Sequence, residues 1–321
     1  MTYIIIVIIG LLVIYIFLNQ LYKRTNHYKN IVFKQNDYWT DIPSHIRIAN
    51  FGSTYSWQAF CAHKNYKISS FNFALTCESI EFDNCILKYY SQKLDSHCII
   101  ILHLVPIVTL YRINMRNESL KKWGILPNPN AIKVTFIERI KHHFPLFPFN
   151  LKKALRIFVD VPPVKDCSLA TNKAAYQNAQ NIAKTWINLF KLSSLKTKDI
   201  GDTNKKNIIY NSKQVEDFFS FCQENNFLPV LAIPPFSKEL NEHFSHEFEE
   251  QTLGAIFKIA KSKNIPVLNY RLNKRFQAQT SLFTDGCFTL NLYGSSIYLK
   301  MLFHDIQEFY HIPVNNQSLQ A

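Results

Sequence analysis

The stretch Ile46-Arg47-Ile48-Ala49-Asn50-Phe51-Gly52-Ser53-Thr54-Tyr55-Ser56 reads as a strand, a turn and the start of a helix. Ile46, Ile48 and Phe51 are apolar strand positions, Gly52 lets the chain turn sharply, and an apolar helical pattern resumes over 57–62. In an α/β fold such a turn presents a hydroxyl at the carboxyl end of a strand, beside the amides of a helix N-terminus. Glycine is scarce here, with 7 in 321 residues, against an average of about 7%. Gly52, Gly286 and Gly294 fall in the two stretches that compose the candidate site, which suggests positions where the backbone requires glycine.

Outward from that turn, short apolar strands are expected at 46–51, 68–73, 98–104, 228–233 and 265–268, with helical patterns at 57–63, 78–94, 172–192, 214–225 and 238–263. Strands separated by helices imply right-handed crossovers, hence an α/β, doubly wound, flavodoxin-like parallel sheet of about five strands. The long segment 111–203, broken early by Pro127, Pro129, Pro145, Pro148, Pro162 and Pro163, is expected to form a lid or subdomain.

Residues 4–18 form a nearly unbroken apolar run without a charge. No small-residue cleavage signature follows, so the run predicts a retained single-pass anchor over residues 1–20. A connector at 21–43, the α/β domain at 44–312 and a tail at 313–321 complete the organisation. No Lys or Arg precedes the anchor, whereas Lys23, Arg24, Lys29 and Lys34 follow it, which by flanking charge puts the domain on the cytoplasmic side.

With 47% hydrophobic residues the chain can bury a sizeable core, which excludes bulk disorder. Its 36 Lys and Arg against 23 Asp and Glu give a net charge of +13, suited to anionic headgroups or glycans. The basic residues are scattered and accompany no nucleic-acid-binding motif, so no nucleic-acid partner is expected. The seven cysteines form no CxxC pair and read as small buried hydrophobes, implying neither a disulfide framework nor a metal site. No GxGxxG or phosphate-binding loop occurs, and no cofactor is expected.

Three blocks then stand in a telling order: Asn50-Phe51-Gly52-Ser53-Thr54-Tyr55; Asn72-Phe73-Ala74-Leu75; and Phe283-Thr284-Asp285-Gly286-Cys287-Phe288-Thr289-Leu290-Asn291-Leu292-Tyr293-Gly294. The order resembles the SGNH/GDSL hydrolase superfamily, particularly its membrane-anchored bacterial branch linked to cell-envelope polysaccharide and teichoic-acid modification. The resemblance implies Thr54, or Ser53 beside it, as nucleophile, with Gly52, Asn72, Ala74 and Asn291 contributing to an oxyanion or binding site and Asp285 as the acid of a triad. It also implies a soluble domain outside the cytoplasm, opposite to the charge flanks, and as partners an acylated envelope glycan and a membrane protein.

The sequence departs from that pattern at the base. A histidine is due at Phe288 or Thr289, depending on alignment, and neither takes a proton from a hydroxyl; the Gly-x-Asn-Asp block after the third strand is replaced by His103-Leu104-Val105-Pro106. General-base help is worth about 10²–10⁴-fold, and His103 is the candidate substitute. Two functions follow: an esterase or O-acyltransferase on an envelope glycan, or a non-catalytic glycan-binding or scaffolding component of envelope polysaccharide biosynthesis.

Overall fold

The structure, a computed structural model, describes residues 2–28, 42–75, 78–111, 136–159 and 172–312. Residues 29–41 of the expected connector, the tail 313–321, Cys77, Cys167 and the prolines at 127, 129, 162 and 163 lie outside the described residues. In chain order the principal elements are α1 (Thr2–Arg24), β1 (Ile46–Phe51), α2 (Thr54–Ala59), β2 (Ser70–Asn72), α3 (Ile80–Tyr90), β3 (Leu94–His103), α4 (Phe136–His143), α5 (Leu151–Leu155), α6 (Asn172–Phe190), α7 (Asp202–Glu224), β4 (Leu228–Ile233), α8 (Lys238–Asn241), α9 (His246–Ser262), β5 (Val267–Asn269), α10 (Lys274–Ala278) and α11 (Leu292–Tyr310). The chain divides into two compact units: residues 1–42 with 117–165, and 43–116 with 166–321.

The larger unit carries a five-stranded sheet in the order β2-β1-β3-β4-β5, with every adjacent pair parallel. That is the doubly wound layout expected of strands alternating with helices. Side chains alternate between faces along each strand, so the inner strands, covered on both sides, read as continuous apolar runs. On one face Ile48, Ile99, Ile101, Val230 and Ala232 pack with Phe60 and with Leu299, Leu302 and Ile306 of α11. On the other, the Phe51 ring stacks on Phe73 and meets Phe218 of α7 edge-on. A fully buried side chain of this size contributes roughly 1.5–3 kcal/mol.

The expected helix at 238–263 is two helices. Ser237 caps α8 by accepting from the Leu240 amide, and Ser245 caps α9 by accepting from the Phe248 amide. A serine side chain that satisfies an orphan amide favours a helix start over continuation. Beside this break, the buried Arg271 guanidinium binds the Glu249 carboxylate and Asn241 Oδ1, tying the exit of β5 to both helices.

In the smaller unit α1 is long and apolar enough to cross a membrane, with a mean hydropathy of 2.7 over its most apolar window. Its last turns are not bare. Tyr22 and Tyr28 form a small core with Leu146 and Ala154, and the Leu146 amide donates to Asn19 Oδ1 at 3.0 Å. The described residues 136–159, within the segment expected to form a lid, therefore cluster with α1, while α6 belongs to the sheet unit.

Two glycines separate backbone need from tolerance. A Cβ on Gly294, in the first turn of α11, would lie 2.1 Å from the Leu282 carbonyl oxygen, whereas one on Gly254 in α9 would meet only the carboxylate end of Glu250 at 2.6 Å. Glu250 is exposed and can swing aside. Gly294→Ala should lower stability by about 2 kcal/mol or more, and Gly254→Ala should be neutral or stabilising, read as the shift in thermal midpoint followed by circular dichroism.

Candidate functional site

With strand order 2-1-3-4-5 the direction of winding reverses between β1 and β3, and their carboxyl ends border the crevice where such sheets bind ligands. The turn of residues 52–54 leaves β1 at this edge. Gly52 has φ +124°, and a Cβ there would sit 2.7 Å from the His103 carbonyl oxygen at the end of β3. The Tyr55 hydroxyl donates to the same carbonyl at 3.2 Å. Only glycine allows the two strand ends to approach this closely.

Beneath the turn runs a buried chain of polar side chains. Asn50 Nδ2 donates to Asn72 Oδ1 at 2.7 Å and to the Ser56 carbonyl at 3.3 Å. This leaves Asn50 Oδ1 as an acceptor 2.6 Å from His103 Nδ1. His103 Nδ1 is then the protonated nitrogen, and Nε2 accepts from the Tyr298 hydroxyl at 2.7 Å. Ser56 Oγ lies 3.2 Å from Nδ1, but it donates to the Phe51 carbonyl at 2.7 Å. Complete burial drives His103 down to a pKa of about 3, so the imidazole is neutral. Its two nitrogens are engaged with Asn50 and Tyr298, where the sequence reading had it as an improvised base for Ser53 or Thr54.

The expected oxyanion donors are also engaged. The Gly52 amide donates to Asp83 Oδ1 at 2.9 Å, and the Ala74 amide to Asn72 Oδ1 at 3.2 Å. Asn72 Nδ2 donates to the Trp57 carbonyl at 3.0 Å. Ser53 caps α2 without a side-chain bond into the helix; its Oγ accepts from the Glu78 amide at 3.2 Å, and the residue is buried. Thr54 opens α2 and is half-buried. Burial first, then the charge of Asp83, holds the Tyr55 phenol well above its ordinary value, and Glu78 adds to the effect.

The last block does reach the first. The Tyr55 and Phe288 rings lie 5.8 Å apart, and Ser295 Oγ in α11 donates to the Ala59 carbonyl at 2.8 Å. Phe288, one of the two positions where the resemblance would place an imidazole, also packs against Trp186 of α6 at 5.2 Å and Phe236 at 5.5 Å. Asp285 Oδ1 closes its own loop, accepting from the amides of Cys287, Phe288 and Thr289 at 2.8–3.0 Å. At Thr289, the other alignment position, the carbonyl accepts from the Thr284 amide at 2.7 Å. Asn291 caps α11 by accepting from the Gly294 amide at 2.9 Å. These bonds position backbone; none of them orients a catalytic imidazole.

The sequence reading passed over Asn50 as a hub, together with Ser56, Asp83 and Tyr298. The available signal was an asparagine between apolar residues in a strand that must be buried, since such a side chain needs partners. Among the described residues no group of three or more His, Cys, Asp or Glu could hold a metal ion. The described cysteines are free thiols, with Cys98, Cys222 and Cys287 buried. No protein-family model and no curated protein sequence matches the chain.

The neutral His103 makes the fold acid-sensitive. Its folded value lies below the ordinary 6.5, so the unfolded chain binds the proton first, and stability falls as pH drops from about 6.5 towards 3. Between pH 7 and 4.5 this amounts to a loss on the order of 2 kcal/mol. His103→Gln should cost about 1–3 kcal/mol at pH 7 and flatten the acid slope. Some slope should persist, because burial also lowers His63, to about 4. Denaturant titrations in detergent at the two pH values check both effects.

Proposed function

We propose that the chain is a membrane-anchored, SGNH-hydrolase-like protein that binds a cell-envelope glycan as a non-catalytic component of envelope polysaccharide processing. The observation that carries this reading is the packing of Phe288 against Tyr55, Trp186 and Phe236 in a slot that the resemblance would give to an imidazole. An aromatic ring there removes the proton acceptor and supplies a surface of the kind that stacks on sugar rings. Phe288 is only half-buried, and Tyr293 nearby in sequence is 65% exposed. The net charge of +13 suits an anionic polymer. The resemblance favours a domain outside the cytoplasm, where such a polymer is met.

A second reading keeps the chemistry: a carboxylic ester hydrolase or O-acyltransferase with Thr54 or Ser53 as nucleophile. It is favoured by the Gly52 turn, which keeps two hydroxyl residues at the carboxyl edge of the sheet beside a helix start.

The purified full-length protein in detergent should hydrolyse p-nitrophenyl acetate no faster than its Ser53→Ala and Thr54→Ala variants. It should bind cell-wall polysaccharide by titration calorimetry, weakened about tenfold by Phe288→Ala and little changed by Thr54→Ala. Turnover that disappears in either hydroxyl variant would establish the enzyme instead.

A further inference from the structure

We propose that the segment 136–159 is a second membrane contact, lying in the headgroup layer around the C-terminal end of α1 and binding anionic phospholipid there. The inference rests on α1 spanning the membrane. Its apolar run, residues 4–18, is 15 residues long, which at 1.5 Å per residue is about 22 Å, short of a hydrocarbon core of about 30 Å. The next turns, from Asn19 onward, therefore sit at or within the apolar boundary, where bare polar groups are costly.

The structure covers that place with the segment in question. Tyr15 stacks on Phe144 with ring centroids 6.1 Å apart. Asn19 donates to the Tyr15 carbonyl and accepts from the Leu146 amide, so its side chain is satisfied within the protein. Tyr22 is fully buried against Leu146 and Ala154. The segment is thus held at the depth of the last turns of the span.

Its outward side chains match an interfacial position. Phe136, Phe149, Leu151 and Phe158 are 77%, 57%, 63% and 76% exposed, large apolar side chains that water disfavours. Residues 136–159 contain Arg139, Lys141, Lys152, Lys153 and Arg156 against one acid, Glu138. After burial, the positive charges of Arg156 and Lys153 are what hold His27 below its ordinary value, which marks a positive field at the end of the span. Between α1 and α4 a groove lined by Ile16, Phe136, Ile140 and Phe144 carries Lys23 beside the polar Gln20 and His143, apolar walls with a cation suited to an acyl chain and its phosphate. Apolar residues interleaved with an excess of cations fit an anionic bilayer surface; a neutral protein partner would leave that excess unmatched.

The test uses the full-length chain in nanodiscs of phosphatidylcholine, with or without 30% phosphatidylglycerol. The photo-crosslinker p-benzoylphenylalanine replaces Phe149, Phe158 or Leu11 in the span, and phospholipid adducts are read by mass. Adducts at 149, 158 and 11 are expected. Phosphatidylglycerol should raise the yield at 149 and 158 at least about threefold, with the gain lost in Lys141→Gln/Lys152→Gln/Arg156→Gln and the yield at 11 unchanged. Adducts at 11 with none at 149 or 158, or yields there indifferent to phosphatidylglycerol, would overturn the inference while leaving the anchor intact. Absence of adducts at 11 would overturn the anchor and the inference together.

Discussion

The hydrogen bond between Asn50 and Asn72, continued through His103 to Tyr298, is the constraint on which the sheet edge depends. It joins β1, β2, β3 and α11 inside an otherwise apolar interior, where each polar group must find its partner or destabilise the fold by about 1–3 kcal/mol. Apolar burial alone would allow neighbouring strands to slip. Three polar side chains at strand ends accept one register, and that register fixes where the Gly52 turn emerges.

The same network explains why a histidine at a strand end here is a structural residue. A base needs a nitrogen open to the reacting proton and a pKa near the working pH. His103 has neither, since Asn50 and Tyr298 hold its ring and burial keeps it neutral far into the acid range. The carboxylate of Asp83 completes the picture by binding the Gly52 amide that an oxyanion would otherwise need. The turn is thus internally satisfied at the Gly52 amide.

Much of the architecture was legible because it follows from local rules. β1 and β4 occupy the expected residues, since apolar β-branched runs bounded by turn residues have few alternatives. β2 and β5 are shorter than expected; edge strands pair on one side only, and each forms just three residues of ladder. Cys98 opens the wholly buried part of β3, but pairing extends the strand back to Leu94, beyond what an apolar run can reveal. The break between α8 and α9 lay in Ser245, a cap hidden in a helical pattern. At the site, the Gly52 turn between β1 and α2 was readable as a strand-turn-helix pattern, whereas the role of His103 was not. That role depends on Tyr298, 195 residues away in the chain, and no spacing rule links the two.

The Asp285 loop also constrains what a new side chain at residue 288 could do. One carboxylate oxygen already gathers three amides, and the ring at 288 leans on Tyr55. An imidazole grafted at 288 would inherit aromatic neighbours and a carboxylate oxygen committed to the loop. Installing ester chemistry here would thus require re-aiming the loop as well as exchanging a side chain, a double change that single substitutions do not make.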